Sequence, residues 1–227
     1  MFQKVIEHLT RYPLFRRALI LPYILGCKRT MVPLKRLKHL KRWCLSFKGM
    51  GLSFVECGVG KGGCLALMKC YSDNNRIWGF DSFGPMPPLS EEDEGDGLSW
   101  VGYECSGDEK ADAVMNTFKA LNLSLDGVNI IQGYFETTLE RTKKNVGKIA
   151  LLRLDNDWYR STKYCLEQLY EQVIPGGVVL VDDYGAFAGC KKAVDEFRAN
   201  NNIHAKLKRT DPNDCEYYWV KESSLTI

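Results

Sequence analysis

The chain has 227 residues, of which 45% are hydrophobic and 26% are charged, and its formal net charge is +3. This composition indicates a globular protein with one sizeable domain or two small ones, and it excludes long tracts of low complexity. The nine cysteines are odd in number and none lies in a CxxC pair. We therefore expect reduced, mostly buried thiols in a cytoplasmic protein rather than a disulfide framework or a zinc site.

The first fifty residues hold most of the basic excess. They contain 12 of the 31 lysines and arginines but one of the 28 acids, so their net charge is +11 and that of the remainder is −8. The segment RTMVPLKRLKHLKRW could indicate nucleic-acid or membrane-surface binding. However, Leu34, Leu37 and Leu40 recur every three residues with cations between them, which favours an amphipathic helix with a solvated basic face. The apolar stretch before it is short and contains a proline, so we expect no transmembrane segment.

Short β-rich runs alternate with helical patterns from residue 52 onward. The predicted strands are LSFVECGVG, RIWGFDSFG, VNIIQGYF, KIALLRLDND and VVLVDDYG, and two more are predicted around AKLKRT and EYYWVKE. Helical patterns lie over GGCLALMKCYS, residues 108–122, the stripe from Cys165 to Val173, which stops at residues 175–177, and AVDEFRANN. KIALLRLDND is nearly continuously apolar, which indicates burial on both faces. The alternation predicts an α/β protein with a doubly wound, mostly parallel sheet.

A glycine-rich turn follows the first predicted strand, in FVECGVGKGG. Gly58, Gly60 and Gly63 allow the backbone to approach a ligand at the start of a helix, although the same spacing also satisfies the dinucleotide pattern or a plain tight turn. Glu56 ends this strand, and Asp81 ends the second strand, where a carboxylate can accept hydrogen bonds from both hydroxyls of a ribose. The two acids together favour a site for the nucleoside end of a cofactor.

Two pairs of aspartates follow neighbouring strands. Asp155 and Asp157 come after the fourth strand, and Asp182 and Asp183 end the fifth. The carboxyl ends of neighbouring strands converge, so these carboxylates would repel one another unless a positive charge lay between them. Mg²⁺ with oxygen ligands meets that need, whereas helix caps and turns are the alternative role for such aspartates. A bound metal would lower the pKa of a hydroxyl, and a nearby carboxylate would take its proton.

These motifs also resemble a known family. FVECGVGKGG, GFDSFGPMPP, QGYFETTL, ALLRLDNDWYRST and GGVVLVDDYGAFAGCKKAVDEF are similar, in this order, to the macrocin O-methyltransferase family, often called TylF-type, from about Thr30 to Trp219. The resemblance implies a class I methyltransferase with a Rossmann-like fold, which uses S-adenosylmethionine and Mg²⁺. It implies a small-molecule hydroxyl acceptor, a sugar in characterised members. We expect a homodimer with no nucleic-acid partner.

The resemblance also assigns residues. It implies that residues 1–50 form a helical extension and cofactor lid, and that residues 51–227 form the methyltransferase domain. Asp155, Asp182 and Asp183 would hold the metal, and Asp155 would also be the general base, with Asp157 in a supporting position. The cofactor pocket implied by the resemblance is lined by Thr30, Met31, Glu56, Cys57, Gly58, Val59, Gly60, Asp81, Ser82, Phe83, Gln132, Gly133, Tyr134 and Asp155.

Two other functions use part of the same pattern. An NAD-dependent oxidoreductase would need the glycine turn and Asp81, but it gives no role to the four aspartates after the fourth and fifth strands. A nucleic-acid-binding module would use the basic first fifty residues and would also leave the aspartates unexplained. The three histidines, His8, His39 and His204, lie outside the predicted strand-end sites, and we expect them at the surface.

The identity of the acceptor does not follow from the sequence. We expect its pocket to be formed by residues 84–107 and the N-terminal segment. Four aromatic residues could stack on a sugar ring, although buried aromatics usually belong to a core: Trp100, Tyr103, Trp158 and Tyr184.

Overall fold

The computed structural model describes residues 2–93 and 111–223. Its strands are β1 (Ser53–Cys57), β2 (Arg76–Asp81), β3 (Val128–Gln132), β4 (Ile149–Leu154), β5 (Val173–Val181), β6 (Lys208–Arg209) and β7 (Tyr217–Val220). Within these described ranges they form one seven-stranded sheet in the order β3-β2-β1-β4-β5-β7-β6. The strand β7 runs antiparallel to β5 and β6, and the other neighbours are parallel. The predicted doubly wound, mostly parallel sheet is confirmed.

Helices cover both faces of this sheet. They are α1 (Phe2–Leu9), α2 (Pro13–Gly26), α3 (Leu34–Ser46), α4 (Gly63–Ser72), α5 (Ala111–Ala120), α6 (Phe135–Val146), α7 (Tyr159–Leu169) and α8 (Ala188–Asn200). The apolar side chains of α2 to α5 pack against one face, and those of α6 to α8 pack against the other. Side chains alternate along a strand, so Phe54 of β1 lies in the first cluster and Val55 in the second.

The predicted amphipathic helix of the basic segment is α3. Leu37 and Leu40 are buried, as the pattern requires, but Leu34 is 41% exposed. The remaining space on the buried face is filled by Cys44 and His39. The helix therefore belongs to the same core as α4 and β1.

His39 is the histidine for which the surface prediction is wrong. It is 7% exposed, because the hairpin of β6 and β7 packs against its side of α3. Trp43 Nε1 donates to His39 Nε2 at 2.9 Å, so His39 Nδ1 carries the proton and donates to Glu216 Oε1 at 2.9 Å. Thr210 Oγ1 donates to the same oxygen at 2.6 Å. His8 and His204 are exposed, as predicted.

The strand β5 begins earlier than the sequence predicts. The apolar stripe predicts a helix as far as Val173, but α7 ends at Leu169, a 3₁₀ turn covers Tyr170–Gln172, and the strand begins at Val173. The Pro-Gly-Gly sequence lies inside the strand, at the point where its pairing with β4 shifts register between Ile149 and Leu151. Proline and glycine are tolerated in a strand at such an irregularity, because the ladder is already interrupted there.

Two further expectations concern thiols and membranes. The eight cysteines in the described ranges are free thiols, and six of them are buried; Cys105 lies outside those ranges. Among the helices described, none combines the length and the apolar character that crossing a bilayer requires.

Candidate active site

The carboxyl ends of β1, β4 and β5 lie in register. Asp155 N donates to Cys57 O at 2.9 Å, and Asp182 N donates to Leu154 O at 2.9 Å. The residues that follow the three strands, Gly58, Asp155 and Asp182, are therefore neighbours. The strand order reverses between β1 and β4, which is the switch point where doubly wound sheets bind ligands.

A cavity of about 740 Å³ opens at this edge of the sheet. Most of the predicted cofactor residues line it: Thr30, Met31, Gly58, Val59, Gly60, Asp81, Ser82, Gly133, Tyr134 and Asp155. The predicted residues Glu56, Cys57, Phe83 and Gln132 do not line it. The first three are buried, and Gln132 is exposed at the end of the edge strand β3.

Asp81 holds the glycine turn in place. Its Oδ2 accepts hydrogen bonds from Val59 N at 2.7 Å and Gly60 N at 2.8 Å, and its Oδ1 accepts one from Phe83 N at 2.7 Å. The turn needs glycine at its first position, because a Cβ on Gly58 would lie 1.9 Å from Asp155 O and its φ is +89°. A carboxylate has about four acceptor sites, so the three backbone donors leave Asp81 about one for a ligand hydroxyl.

Arg153 of β4 lies at the centre of the acidic cluster, although the sequence interpretation assigned it no role. It is 1% exposed, and its Nη1 donates to Glu56 Oε1 at 2.9 Å and to Asp155 Oδ2 at 2.7 Å. Its Nη2 donates to Asp182 Oδ1 at 2.6 Å. The guanidinium of Arg153 thus supplies part of the positive charge that was expected between the aspartates. The signal in the sequence was a single arginine inside an otherwise apolar strand, since a buried charge requires partners.

Burial dominates the protonation of this cluster. It raises the pKa of Glu56 to about 8, against the opposing effect of Arg153. It also raises the pKa of Asp182 to about 7, with a further contribution from the charge of Asp155. Burial, and then Asp155 and Asp182, raise the pKa of Asp183 well above its usual range. Arg153 alone therefore does not fully stabilise the ionised carboxylates.

Three of the aspartates can reach one cation together. Each of Asp155, Asp182 and Asp183 offers a carboxylate oxygen, and these oxygens lie within 4.8 Å of one another. Asp183 Oδ2 is buried and has no hydrogen-bond partner among the described residues. An orphaned buried carboxylate oxygen beside two others fits a hard divalent cation such as Mg²⁺. Asp157 lines the same cavity with a left-handed backbone, at a φ of 60°.

Arg36 of α3 is a second cation at this cluster that the sequence did not reveal. Its Nη1 donates to Asp182 Oδ2 at 2.6 Å, its Nη2 contacts Cys215 Sγ at 2.6 Å, and its Nε pairs with Asp214. Burial opposes its charge, but Asp182, Cys215 and Asp214 raise the pKa of Arg36 above its usual value. Each oxygen of Asp182 thus accepts a hydrogen bond from an arginine. A metal bound at Asp182 would share this carboxylate with Arg36 and Arg153, which already orient it.

The N-terminal segment reaches the cavity between α2 and α3. Thr30 Oγ1 lies 3.7 Å from Cys64 Sγ at the start of α4 and accepts a hydrogen bond from Val32 N at 3.1 Å. Met31, by contrast, is 83% exposed while it lines the cavity opening. The two predicted residues therefore lie at the rim, with Thr30 in contact with the start of α4.

The expected acceptor region is described in part. Met86 and Pro87 line the cavity, whereas Trp100 and Tyr103 lie outside the described residues. Trp158 is 2% and Tyr184 8% exposed, and both pack in the core rather than in the cavity lining. The cavity wall near the aspartates contains Phe187 instead.

Comparison with known proteins agrees with this geometry. The model of a family described as Macrocin-O-methyltransferase (TylF) matches residues 24–221. The chain belongs to this family. It is 32% identical over 192 residues to the 8-demethyl-8-(2,3-dimethoxy-alpha-L-rhamnosyl)-tetracenomycin-C 4'-O-methyltransferase of Streptomyces olivaceus, which covers 80% of this chain and 72% of the relative. It is 31% identical over 212 residues to the demethyldecarbamoylnovobiocin O-methyltransferase of Streptomyces niveus, covering 85% and 75% of the two chains.

A solved structure extends the comparison to the fold. The O-methyltransferase NovP is 29% identical and superposes with a TM-score of 0.72 over 86% of this chain and 83% of its own. The predictions of a class I methyltransferase fold and of an S-adenosylmethionine-dependent O-methyltransferase are confirmed.

Proposed function

We propose that this macrocin O-methyltransferase family member methylates a sugar hydroxyl of a glycosylated small molecule, with Mg²⁺ held by Asp155, Asp182 and Asp183. The observation that supports the proposal most is the convergence of these three carboxylates with the glycine turn and Asp81 on one cavity. The Streptomyces olivaceus relative, which acts on a rhamnosyl tetracenomycin, supports a sugar acceptor.

The cofactor would lie along the glycine turn. The turn is rigid because Asp81 accepts from Val59 N and Gly60 N, and the remaining acceptor site of Asp81 is available to one ribose hydroxyl. This differs from the expectation that the carboxylate binds both hydroxyls. The methyl group of S-adenosylmethionine would then face the aspartates across the cavity, where orientation supplies much of the rate acceleration.

The aspartates would activate the acceptor. Bound Mg²⁺ supplies the positive charge that lowers the pKa of the acceptor hydroxyl. Asp155 is oriented by Arg153, which donates to Asp155 Oδ2 at 2.7 Å. We assign to Asp155 the role of accepting the proton of the acceptor hydroxyl. Asp157 lies in the same cavity and is the alternative proton acceptor that an experiment must separate from Asp155.

Removal of the metal tests this assignment. Treatment with EDTA should abolish methyl transfer and added Mg²⁺ should restore it. Asp183→Asn keeps the shape but loses charge, so the affinity for Mn²⁺, used as a paramagnetic probe, should fall while that for S-adenosylhomocysteine holds. Asp155→Asn should lose turnover even in excess Mg²⁺, whereas Asp157→Asn should retain most of it. Full activity after EDTA treatment would exclude the metal, and the reverse order of the last two variants would move the base to Asp157.

Calorimetric titration tests the cofactor. S-adenosylhomocysteine should bind and NAD⁺ should not. Asp81→Ala should weaken S-adenosylhomocysteine by about 1.5–3 kcal/mol, the range for a hydrogen bond to a charged group. The same variant leaves three backbone donors without a partner, so Asp81→Asn is the companion variant that keeps an oxygen. Unchanged affinity in a folded Asp81→Ala protein contradicts the assignment.

We also propose that residues 1–50 act as an extension whose segment from Thr30 to Pro33 closes over the cofactor. The support is that Thr30 contacts the start of α4 while Met31 is exposed at the rim. Trypsin should cleave after Lys28 or Arg29 more slowly when S-adenosylhomocysteine is bound, because a closed segment is protected. Equal cleavage rates with and without the ligand would refute a lid.

The expected homodimer and the expected absence of a nucleic-acid partner remain proposals. Two cations of α3 pair with acids of the β6–β7 region, Lys35 with Asp211 and Arg36 with Asp214, which leaves fewer charges for phosphates. On α2, Leu14 is 80% exposed, as expected of a surface that pairs with another copy. Sedimentation equilibrium should give twice the chain mass, and titration with a short DNA duplex at low salt should show no specific binding.

A further inference from the structure

The backbone of Arg29 is fixed by hydrogen bonds at the end of α2. Lys28 adopts a left-handed φ of 50°, Lys28 N donates to Leu25 O at 3.1 Å, and Arg29 N donates to Ile24 O at 2.7 Å. This is the paired hydrogen-bond pattern of a Schellman helix end. Arg29 O in turn accepts from Gly63 N at 3.1 Å. Both backbone groups of Arg29 are therefore fixed, one to α2 and the other to the start of α4.

The closeness of this contact explains a glycine in the turn. A Cβ on Gly63 would lie 2.6 Å from Arg29 O, so a side chain at that position would push the segment away. The arginine is thus held directly beside the glycine turn, on the side of the cavity that would receive the cofactor and next to Thr30.

Among the described residues, the side chain of Arg29 has no hydrogen-bond or ion-pair partner. It lines the cavity, is partly buried, and its Nε is buried without a hydrogen bond within the described part of the chain. Arg36 and Arg153, the other arginines of this region, each pair with carboxylates. Leaving a buried charged nitrogen unpaired is costly, so its presence in a cavity indicates an anionic group that arrives with a ligand.

We propose that Arg29 binds the α-carboxylate of the methionine part of S-adenosylmethionine, an inference that rests on the proposed function. That carboxylate is the one anionic group of the cofactor, and it would enter a cavity that the four aspartates after β4 and β5 also line. A planar guanidinium can donate two parallel hydrogen bonds to it. An anionic acceptor is the other ligand that Arg29 could serve, but the backbone contact of Arg29 with Gly63 places it beside the glycine turn, which favours the cofactor.

A pair of ligands that differ in this carboxylate tests the proposal. Titrations would use S-adenosylhomocysteine and its decarboxylated form, which keeps the adenosine, the sulfur and the amine. Arg29→Gln should raise the Kd of S-adenosylhomocysteine about tenfold to a hundredfold and leave that of the decarboxylated form within about twofold. Arg29→Lys should lose less affinity for S-adenosylhomocysteine than Arg29→Gln, because lysine keeps the charge although it lacks the planar pair of donors. Arg42→Gln, an exposed position on α3, is the matched control and should change neither Kd.

The outcomes separate the inference from the function on which it rests. If the wild-type protein bound neither ligand, the proposed cofactor itself would be wrong, and the inference with it. If Arg29→Gln weakened both ligands equally, or neither, while the wild type bound S-adenosylhomocysteine, the carboxylate contact alone would be refuted. A rise in acceptor KM with unchanged S-adenosylhomocysteine affinity would reassign Arg29 to the acceptor.

Discussion

Replacing Arg153 with methionine removes a cation that three carboxylates share. Breaking a buried ion pair from one side typically costs about 3–5 kcal/mol. Two features of the structure reduce that cost: Glu56 can keep a proton, since its pKa is already about 8, and Arg36 still holds Asp182. We therefore expect a loss of about 3–4 kcal/mol at pH 7, toward the lower end of that range. For a domain of this size the melting temperature should fall by about 6–16 °C, at about 2–4 °C per kcal/mol.

Unfolding in urea and by heat, followed by circular dichroism in metal-free buffer, measures this loss. Arg160→Met is the matched control, because Arg160 is exposed on α7, and it should change stability by no more than about 0.5 kcal/mol. A loss below about 1 kcal/mol for Arg153→Met would mean that the carboxylates do not depend on this arginine. The account of the cluster as an internally neutralised site would then fail.

Two more predictions concern neighbours of this cluster. The folded chain raises the pKa of Glu56 from its ordinary 4.5 to about 8, so the folded state keeps a proton that the unfolded chain releases. The free energy of unfolding of the wild type should therefore fall relative to that of Glu56→Gln as the pH rises from 4.5 to about 8. The same pH dependence in both proteins would contradict this. In the glycine turn, the Cβ added by Gly60→Ala would have no atom within 4 Å. This substitution should lower the free energy of unfolding by about 1–2 kcal/mol, because the φ of residue 60 is left-handed, at +52°. Gly58→Ala should cost clearly more, because its Cβ would overlap Asp155 O, and equal losses in thermal unfolding would refute the steric argument.

The features that local pattern predicts well are the strands and their ends. Apolar runs punctuated by glycine and proline predicted the doubly wound sheet, and the rule that strand ends converge brought Asp155, Asp182 and Asp183 together as expected. Asp81 was also expected in the cavity. Its bonds to the turn were not, because a side chain that accepts from backbone N–H groups leaves no mark in the sequence.

The features that the sequence could not show depend on distant contacts. His39 is buried by a hairpin 177 residues away from it, as its bond to Glu216 shows. Arg36 is aligned with Asp182 by the same packing. The role of Arg153 could have been predicted from the sequence, since a lone arginine in a buried strand needs partners. The apolar pattern around it predicts only the burial of the strand. Helical periodicity likewise overran the true start of β5 because its irregular first half resembles a helix end.

The pairing of α3 with the region around β7 has a consequence for synthesis. Arg36 meets Asp214 across 178 positions, and His39 meets Glu216 across 177. A ribosome adds about 5–20 residues per second, so α3 waits roughly ten seconds or more for these partners. During that interval Arg36 lacks Asp214 and His39 lacks Glu216, although the apolar face of α3 can already pack against α4. Asp214, the partner of Arg36, is therefore synthesised after the strands β1 to β5, and a chain interrupted before residue 214 would carry the aspartates while Arg36 lacks this partner.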